Sequence, residues 1–269
     1  MLKIFQTPFQ KNNPFQKIGL EGSELKRIKT LPSKKYSASK IFGNLISFPD
    51  GYWFLYSLKE IFIDEVYKFK TTSKAPVIID CGANIGLSVI YFKKLFPDAK
   101  VVAFEPDHKI FEMFKKNMQP YNFNDVELIN KAVWTSDSEL TFLAEGTLGG
   151  KINLEPSTVD KNIIKVKSVR LKDFLNTKID FLKIDIEGAE YEVLLDCKEE
   201  LKNVAILFFE YHGSKNKQQQ ILHEILKVVT DAGFQYYIKE SFPVVQFPFI
   251  EKASEKYYDL MLNVFCYRV

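Results

Sequence analysis

Cysteine is scarce in this chain: Cys81, Cys197 and Cys266 are the only three in 269 residues, with no CxxC pair and no Cys/His grouping at zinc-ligand spacing. No zinc site is therefore legible, and a reducing, cytoplasmic setting is the simpler expectation. Long apolar runs are missing too. Nowhere does the chain pass through about 18 uncharged apolar residues, and MLKIFQTPFQKNNPFQK at its start lacks a continuous hydrophobic segment. Neither a membrane span nor secretion is expected. Charge of one sign does not accumulate either: 37 basic residues are interspersed with 34 acidic ones, for a net charge of +3. That excludes a basic block of the kind nucleic-acid surfaces carry. Internal repeats and low-complexity tracts are absent as well.

What is present is the grammar of an α/β protein. With 46% hydrophobic and 26% charged residues, the chain can bury one large core behind an appended N-terminal segment. Residues 1–38 show no sustained period of 2 or 3.6 and are expected to be irregular. Apolar runs at 40–48 and 52–55 flank Pro49-Asp50-Gly51 and predict a hairpin, and 57–69 carries an apolar helical stripe. From Ala75 onward, short apolar runs alternate with helix-length segments, the signature of a parallel sheet of βαβ units. Strands are expected at 77–80, 101–104, 126–129, 181–185, 205–209, 234–238 and 260–267. Helices are expected at 87–96, 108–118, 189–196 and 217–232, with a strand-and-loop insertion over 135–169.

The first strand runs into Asp80-Cys81-Gly82-Ala83-Asn84-Ile85-Gly86 and then directly into a helical pattern. Glycines at such a turn permit tight geometry and close approach of a ligand to backbone N–H groups. A dinucleotide fingerprint would require glycines at 82, 84 and 87, but Asn84 and Leu87 stand at the latter two, which argues against an NAD-dependent dehydrogenase. No Gly-Lys-Ser/Thr follows, so a P-loop is unsupported. The second strand ends in Ala103-Phe104-Glu105-Pro106, and Glu105 at that edge can accept both ribose hydroxyls of an adenosine. Farther on, Lys183-Ile184-Asp185-Ile186-Glu187-Gly188 brings two acids to the same edge, where they are expensive unless solvated, paired or used. Helix capping is their ordinary employment. Another strand ends in Glu210-Tyr211-His212-Gly213, adding a carboxylate and an imidazole suited to taking a proton near neutral pH. A structural histidine is the competing reading, and His108 and His223 are expected to be ordinary helix residues.

The blocks IIDCGANIG, VVAFEPD, FLKIDIEGAEYEVL and LFFEYHG, in this order over residues 77–213, resemble the FkbM family of S-adenosylmethionine-dependent methyltransferases. The resemblance implies an α/β fold with a Rossmann-like, seven-stranded, mostly parallel sheet and helices on both faces. Residues 75–269 would form the methyltransferase domain and 1–74 an N-terminal extension. It implies S-adenosylmethionine as cofactor, with Asp80, Gly82, Asn84 and Gly86 in the cofactor loop and Glu105 as the ribose-binding acid. The implied reaction is O-methyl transfer to a sugar, glycan or secondary metabolite. Where the family often carries a second proline after the Glu-Pro pair, this chain has Asp107-His108, a variation at a helix start that leaves Glu105 in place.

An alcohol acceptor needs its proton removed. His212 or Asp185 is the candidate base, with Glu187 and Glu210 orienting the base or the acceptor. A Mg²⁺ ion among Asp185, Glu187 and Glu210 is the less favoured alternative, and no metal site is assigned. Tyr52, Trp53 and Tyr56, with the insertion around 146–156, either line a carbohydrate pocket or complete the core. The expected partner is a small-molecule or glycan acceptor, without nucleic acid or a membrane span, and homodimer formation is left open. A non-catalytic cofactor-binding or assembly protein on the same fold is the second functional reading.

Overall fold

Alternation along one strand, β3 (Val77–Cys81), organises the larger part of the molecule. Ile79 and Cys81 share one face with Leu182, Ile184, Leu207 and Phe209 of the neighbouring strands, all in one buried apolar core. On the opposite face Asp80 stands in register with Lys183, and Lys183 with Phe208. Because side chains alternate strictly along a strand, one face here is apolar, while the other carries Asp80 and Lys183 toward the C-terminal edge beneath the helix that supplies Ser88 and Phe92.

The computed structural model describes residues 13–144, 150–152, 163–213, 221–243, 245–247, 249–250, 258 and 260–268. The chain divides into two compact units, Met1–Lys68 and Phe69–Val269.

In the first unit, residues expected to be irregular contain a 3₁₀ turn, Pro14–Ile18, and helix α1 (Gly22–Lys29). Leu25 and Ile28 are the buried pair of α1, a stripe too short to register as a sustained period. The hairpin pairs β1 (Ser37–Ile41) with β2 (Asn44–Phe48), and its turn is Phe42-Gly43, both at positive φ, not the expected Pro49-Asp50-Gly51. The Asp50 carboxylate instead accepts the amides of Tyr52 and Trp53, at 2.9 and 3.2 Å, and so caps helix α2 (Gly51–Leu58). A cap turned residues 52–55 from strand into helix, and the helix expected over 57–69 gives way after a π turn at Lys59–Ile63. Phe54, Leu55 and Leu58 are buried, whereas Tyr52, Trp53 and Tyr56 form an edge-to-face row.

The second unit holds a seven-stranded sheet. Its further strands are β4 (Lys100–Phe104), β5 (Val126–Ile129), β10 (Phe181–Ile184), β11 (Ile206–Gly213), β12 (Gln235–Phe242) and β13 (Leu260–Tyr267). The order is β12-β13-β11-β10-β3-β4-β5, parallel from β11 to β5, with β13 antiparallel between β11 and β12. Helices α3 (Leu87–Leu95), α4 (His108–Met118), α5 (Glu190–Asp196) and α6 (Leu222–Asp231) complete the βαβ pattern. Asp107 caps α4 through the amides of Lys109 and Ile110, as a helix-start acid should. The insertion is a four-stranded sheet of order β6-β9-β7-β8, made of β6 (Ala132–Trp134), β7 (Glu139–Ala144), β8 (Gly150–Ile152) and β9 (Ile163–Arg170). Val133 and Val169 anchor it in the main core. The loop residues 146–149 and 153–156 of the suggested pocket lie outside the described residues.

Candidate active site

The chain leaves β3 for β4 and β5 on one side and returns to β10 on the other, so the strand order reverses between β3 and β10. At such a switch point the loops after the two strands diverge and open a crevice at the carboxyl edge, where open α/β sheets take ligands.

The turn 82–86 forms one wall. Gly82, at φ +88°, passes so close to the loop after β10 that a Cβ there would lie 1.9 Å from the Asp185 carbonyl oxygen. Its N–H donates to the Phe104 carbonyl at 3.1 Å, so the backbone of Gly82 is wedged between the ends of β4 and β10. Gly86, at φ +90°, serves packing in the same way, since a Cβ would stand 2.4 Å from the Phe114 ring of α4. Asn84 also takes a left-handed conformation, at φ 49°. Its N–H donates to Glu105 Oε2 at 3.0 Å, while Glu105 Oε1 accepts the Asp107 N–H at 2.8 Å. Burial pushes the Glu105 carboxyl up to about 8, against the two amide bonds that favour its ionised form. Each oxygen accepts one amide and retains a second lone-pair site, a donor-seeking carboxylate whose chemistry fits a ribose diol.

Asp80 sits deeper than the expected cofactor contact. It is fully buried, its Oδ2 accepts the Ser88 hydroxyl of α3 at 2.5 Å, and its Oδ1 lies 3.2 Å from Lys183 Nζ. Asp80 thus acts on the crevice through its neighbours. Lys183 is a site residue that the motif reading passed over. Its ammonium is buried, donates to the Gly82 carbonyl at 2.9 Å and lies 3.3 Å from Asp185 Oδ2. Burial alone would lower its pKa, but Asp80 and Asp185 hold it above the ordinary lysine range. The available signal was a lysine inside an otherwise apolar, wholly buried strand.

On the other wall, β11 extends four residues beyond its expected end and carries Glu210 and His212 within the strand. Asp185, Glu187 and His212 converge, with one donor atom from each lying within 4.8 Å of the others. His212 Nδ1 meets Glu190 Oε1 at 3.1 Å, and Nε2 lies 3.5 Å from Glu187 Oε2 and 4.0 Å from Asp185 Oδ1. The Tyr258 ring packs 4.8 Å from the imidazole, and its hydroxyl donates to the Glu187 carbonyl at 2.7 Å. Glu187 has φ +59°, a conformation that costs a non-glycine residue about 1 kcal/mol and that such sites tolerate when neighbours enforce it. Glu210 does not join this group; its Oε1 accepts the Ser241 hydroxyl at 2.5 Å. The acid set Asp185, Glu187 and Glu210 therefore does not assemble, and His212 stands where Glu210 was expected. Burial works against a charged imidazole, yet Glu187, Glu190 and Glu210 outweigh it and hold the His212 pKa well above its usual value. The imidazole is thereby held toward its charged form, with Asp185 and Glu187 facing its Nε2. His108 and His223 are exposed and remote from the cluster in contacts, the former touching Asn130 and the latter Glu224.

A sheet of this order, reversed at one edge by an antiparallel strand and carrying its polar residues at the switch point, defines the Rossmann-like methyltransferase architecture. Residues 80–236, more than half of the chain, match the Methyltransferase FkbM domain, and the chain belongs to that family. It is 30% identical over 165 residues to "Methyltransferase 1" of Beauveria bassiana, a match covering 53% of this chain and 66% of the fungal protein. It is 26% identical over 165 residues to the "2-O-methyltransferase NoeI" of Sinorhizobium fredii, covering 54% of this chain and 67% of the relative. In fold it resembles the crystal structure of an FkbM methyltransferase from Methylobacillus flagellatus, at TM-score 0.51 and 16% identity, over 79% of this chain and 48% of that one. The chain thus spans just under two thirds of the fungal relative and about half of the solved bacterial one. Among the described residues no helix is long and apolar enough to cross a membrane.

Proposed function

We propose that the protein transfers a methyl group from S-adenosylmethionine to a hydroxyl oxygen of a sugar, glycan or small secondary metabolite. The observation that carries this reading is the backbone of Gly82, which ties the strand end bearing Glu105 to the loop bearing Asp185. This supports a reading in which Glu105 takes the adenosine and the Asp185 loop the acceptor's proton, on adjoining strand ends. The relative named as a 2-O-methyltransferase supports oxygen as the acceptor atom.

When bound, S-adenosylmethionine supplies an electrophilic methyl group on a sulfonium. Glu105 and the turn 82–86 hold the ribose and orient the cofactor. Lys183 pins Asp185 Oδ2, which leaves Oδ1 on the side of His212. Asp185 or His212 receives the acceptor's proton, with Glu190 holding the imidazole at Nδ1 and Glu187 beside Nε2. Such alignment is the larger part of what a displacement reaction needs from its enzyme.

The test is calorimetry with S-adenosylmethionine followed by transfer of a radiolabelled methyl group to a panel of glycans and hydroxylated metabolites. Binding followed by base-resistant labelling of one acceptor class is the expected result. Binding without transfer to any acceptor would favour the cofactor-binding, non-catalytic reading.

A further inference from the structure

Among the described residues, acidic side chains crowd His212: Glu190 meets Nδ1, while Glu187 and Asp185 face Nε2. Carboxylates gathered at one imidazole are a donor set suited to a cation.

A second observation is independent of charge. His212 Nε2 is buried and has no hydrogen-bond partner, although its side chain is sealed from solvent and its other nitrogen is engaged by Glu190. A buried, unsatisfied imidazole nitrogen is expensive, and this one faces Glu187 Oε2 at 3.5 Å and Asp185 Oδ1 at 4.0 Å. An ion bound at about 2.1 Å separates its ligands by about 3.0 Å when adjacent and about 4.2 Å when opposite. The three donors lie within 4.8 Å of one another, and to become adjacent ligands Nε2 needs to close by about 0.5 Å on Glu187 and about 1 Å on Asp185. The support is also in place: Glu190 on Nδ1 is the carboxylate that fixes the tautomer of a ligating histidine, Lys183 steadies Asp185, and Tyr258 packs the ring.

The geometry points to a divalent-cation site formed by Asp185 Oδ1, Glu187 Oε2 and His212 Nε2, of the class suited to mixed nitrogen and oxygen ligands, with Mn²⁺ the best match. Its uncommitted positions lie on the side of Asp185 and Glu187, the two members with solvent access, and there the ion presents the acceptor's hydroxyl and eases loss of its proton. The site's role rests on the methyl-transfer reading, but the binding of the ion does not.

The binding test uses the whole 269-residue chain, chelator-treated, without cofactor or acceptor. Titration with MnCl₂, followed by the electron paramagnetic resonance of free Mn²⁺, should saturate at one ion per chain. In protein labelled at histidine, trace Mn²⁺ should broaden the imidazole signals of His212 and leave His108 and His223 sharp. Asp185→Asn should weaken binding at least about 10-fold and Glu190→Gln about 10-fold, with His108→Ala unchanged. Broadening of His108 or His223 first, or of none, would overturn the site without recourse to any variant that fails to fold. Methyl transfer at full rate by the metal-free protein would overturn the ion's role and leave the methyltransferase reading standing.

Discussion

Lys183 Nζ lies 3.2 Å from Asp80 Oδ1, with both side chains almost completely removed from water. The two residues are register partners on adjacent strands, and the same ammonium reaches Asp185 and the Gly82 carbonyl. The pair therefore locks together the two strand ends that frame the crevice.

Lys183→Met should destabilise the protein by about 3–5 kcal/mol, because it leaves the Asp80 carboxyl buried without its partner. Combining it with Asp80→Asn should recover part of that loss by removing the stranded charge. Urea unfolding of the two variants provides the comparison, and a loss below about 1 kcal/mol in the single variant would refute the lock.

Gly82→Ala should be at least as damaging as a cavity mutation, costing about 3 kcal/mol or more. The added carbon would lie 1.9 Å from the Asp185 carbonyl oxygen in a backbone conformation at φ +88° that alanine disfavours. A thermal melt close to that of the parent protein would show that the loops part more easily than their packing indicates.

Glu105 makes ligand-free stability depend on pH. Its folded pKa of about 8 lies above its ordinary 4.5, so the stability contributed by the neutral form is complete below pH 4.5 and is lost as pH rises through about 8. The raised His212 pKa gives a slope of the same sign at higher pH. Comparing melting temperatures of the parent and Glu105→Gln from pH 5 to 8 isolates the Glu105 part, which should be absent from the variant. The same substitution should weaken S-adenosylmethionine binding by about 10-fold, because an amide offers the ribose diol one acceptor oxygen where a carboxylate offers two.

His212→Ala should reduce methyl transfer by about 10²- to 10⁴-fold and change cofactor affinity little, since Glu105 and the turn 82–86 are untouched. Isotope-release assays and calorimetry on the same preparation separate the two effects, and unchanged turnover would remove His212 from the reaction.

Much of the fold was legible because its elements announce themselves locally. Strand runs bounded by turn residues located β3, β4, β5, β10 and β13 nearly to the residue, and the stripe Ile110, Phe111, Phe114 and Met118 located α4. The misreadings lay where a single polar contact decided between elements. Asp50 converted residues 52–55 into helix by capping two amides, and the hairpin closed at Phe42-Gly43 instead.

For the site, the sequence by itself determined which chemistry is delivered to the sheet edge: Glu105, Asp185 and Glu187 follow buried strand runs, and Glu210 and His212 lie in the last residues of another, at its carboxyl end. Only the tertiary structure decided how they combine. It buried Asp80 behind Lys183, drew Glu210 to Ser241, and brought Glu190 to His212. It also made Gly82 a spacer against a carbonyl more than a hundred residues distant. The physical reason is that strand pattern is a property of neighbours in the chain, whereas pairing and desolvation of charges depend on which strands meet, and β3 meets β10 only after the chain has crossed to the far side of the sheet.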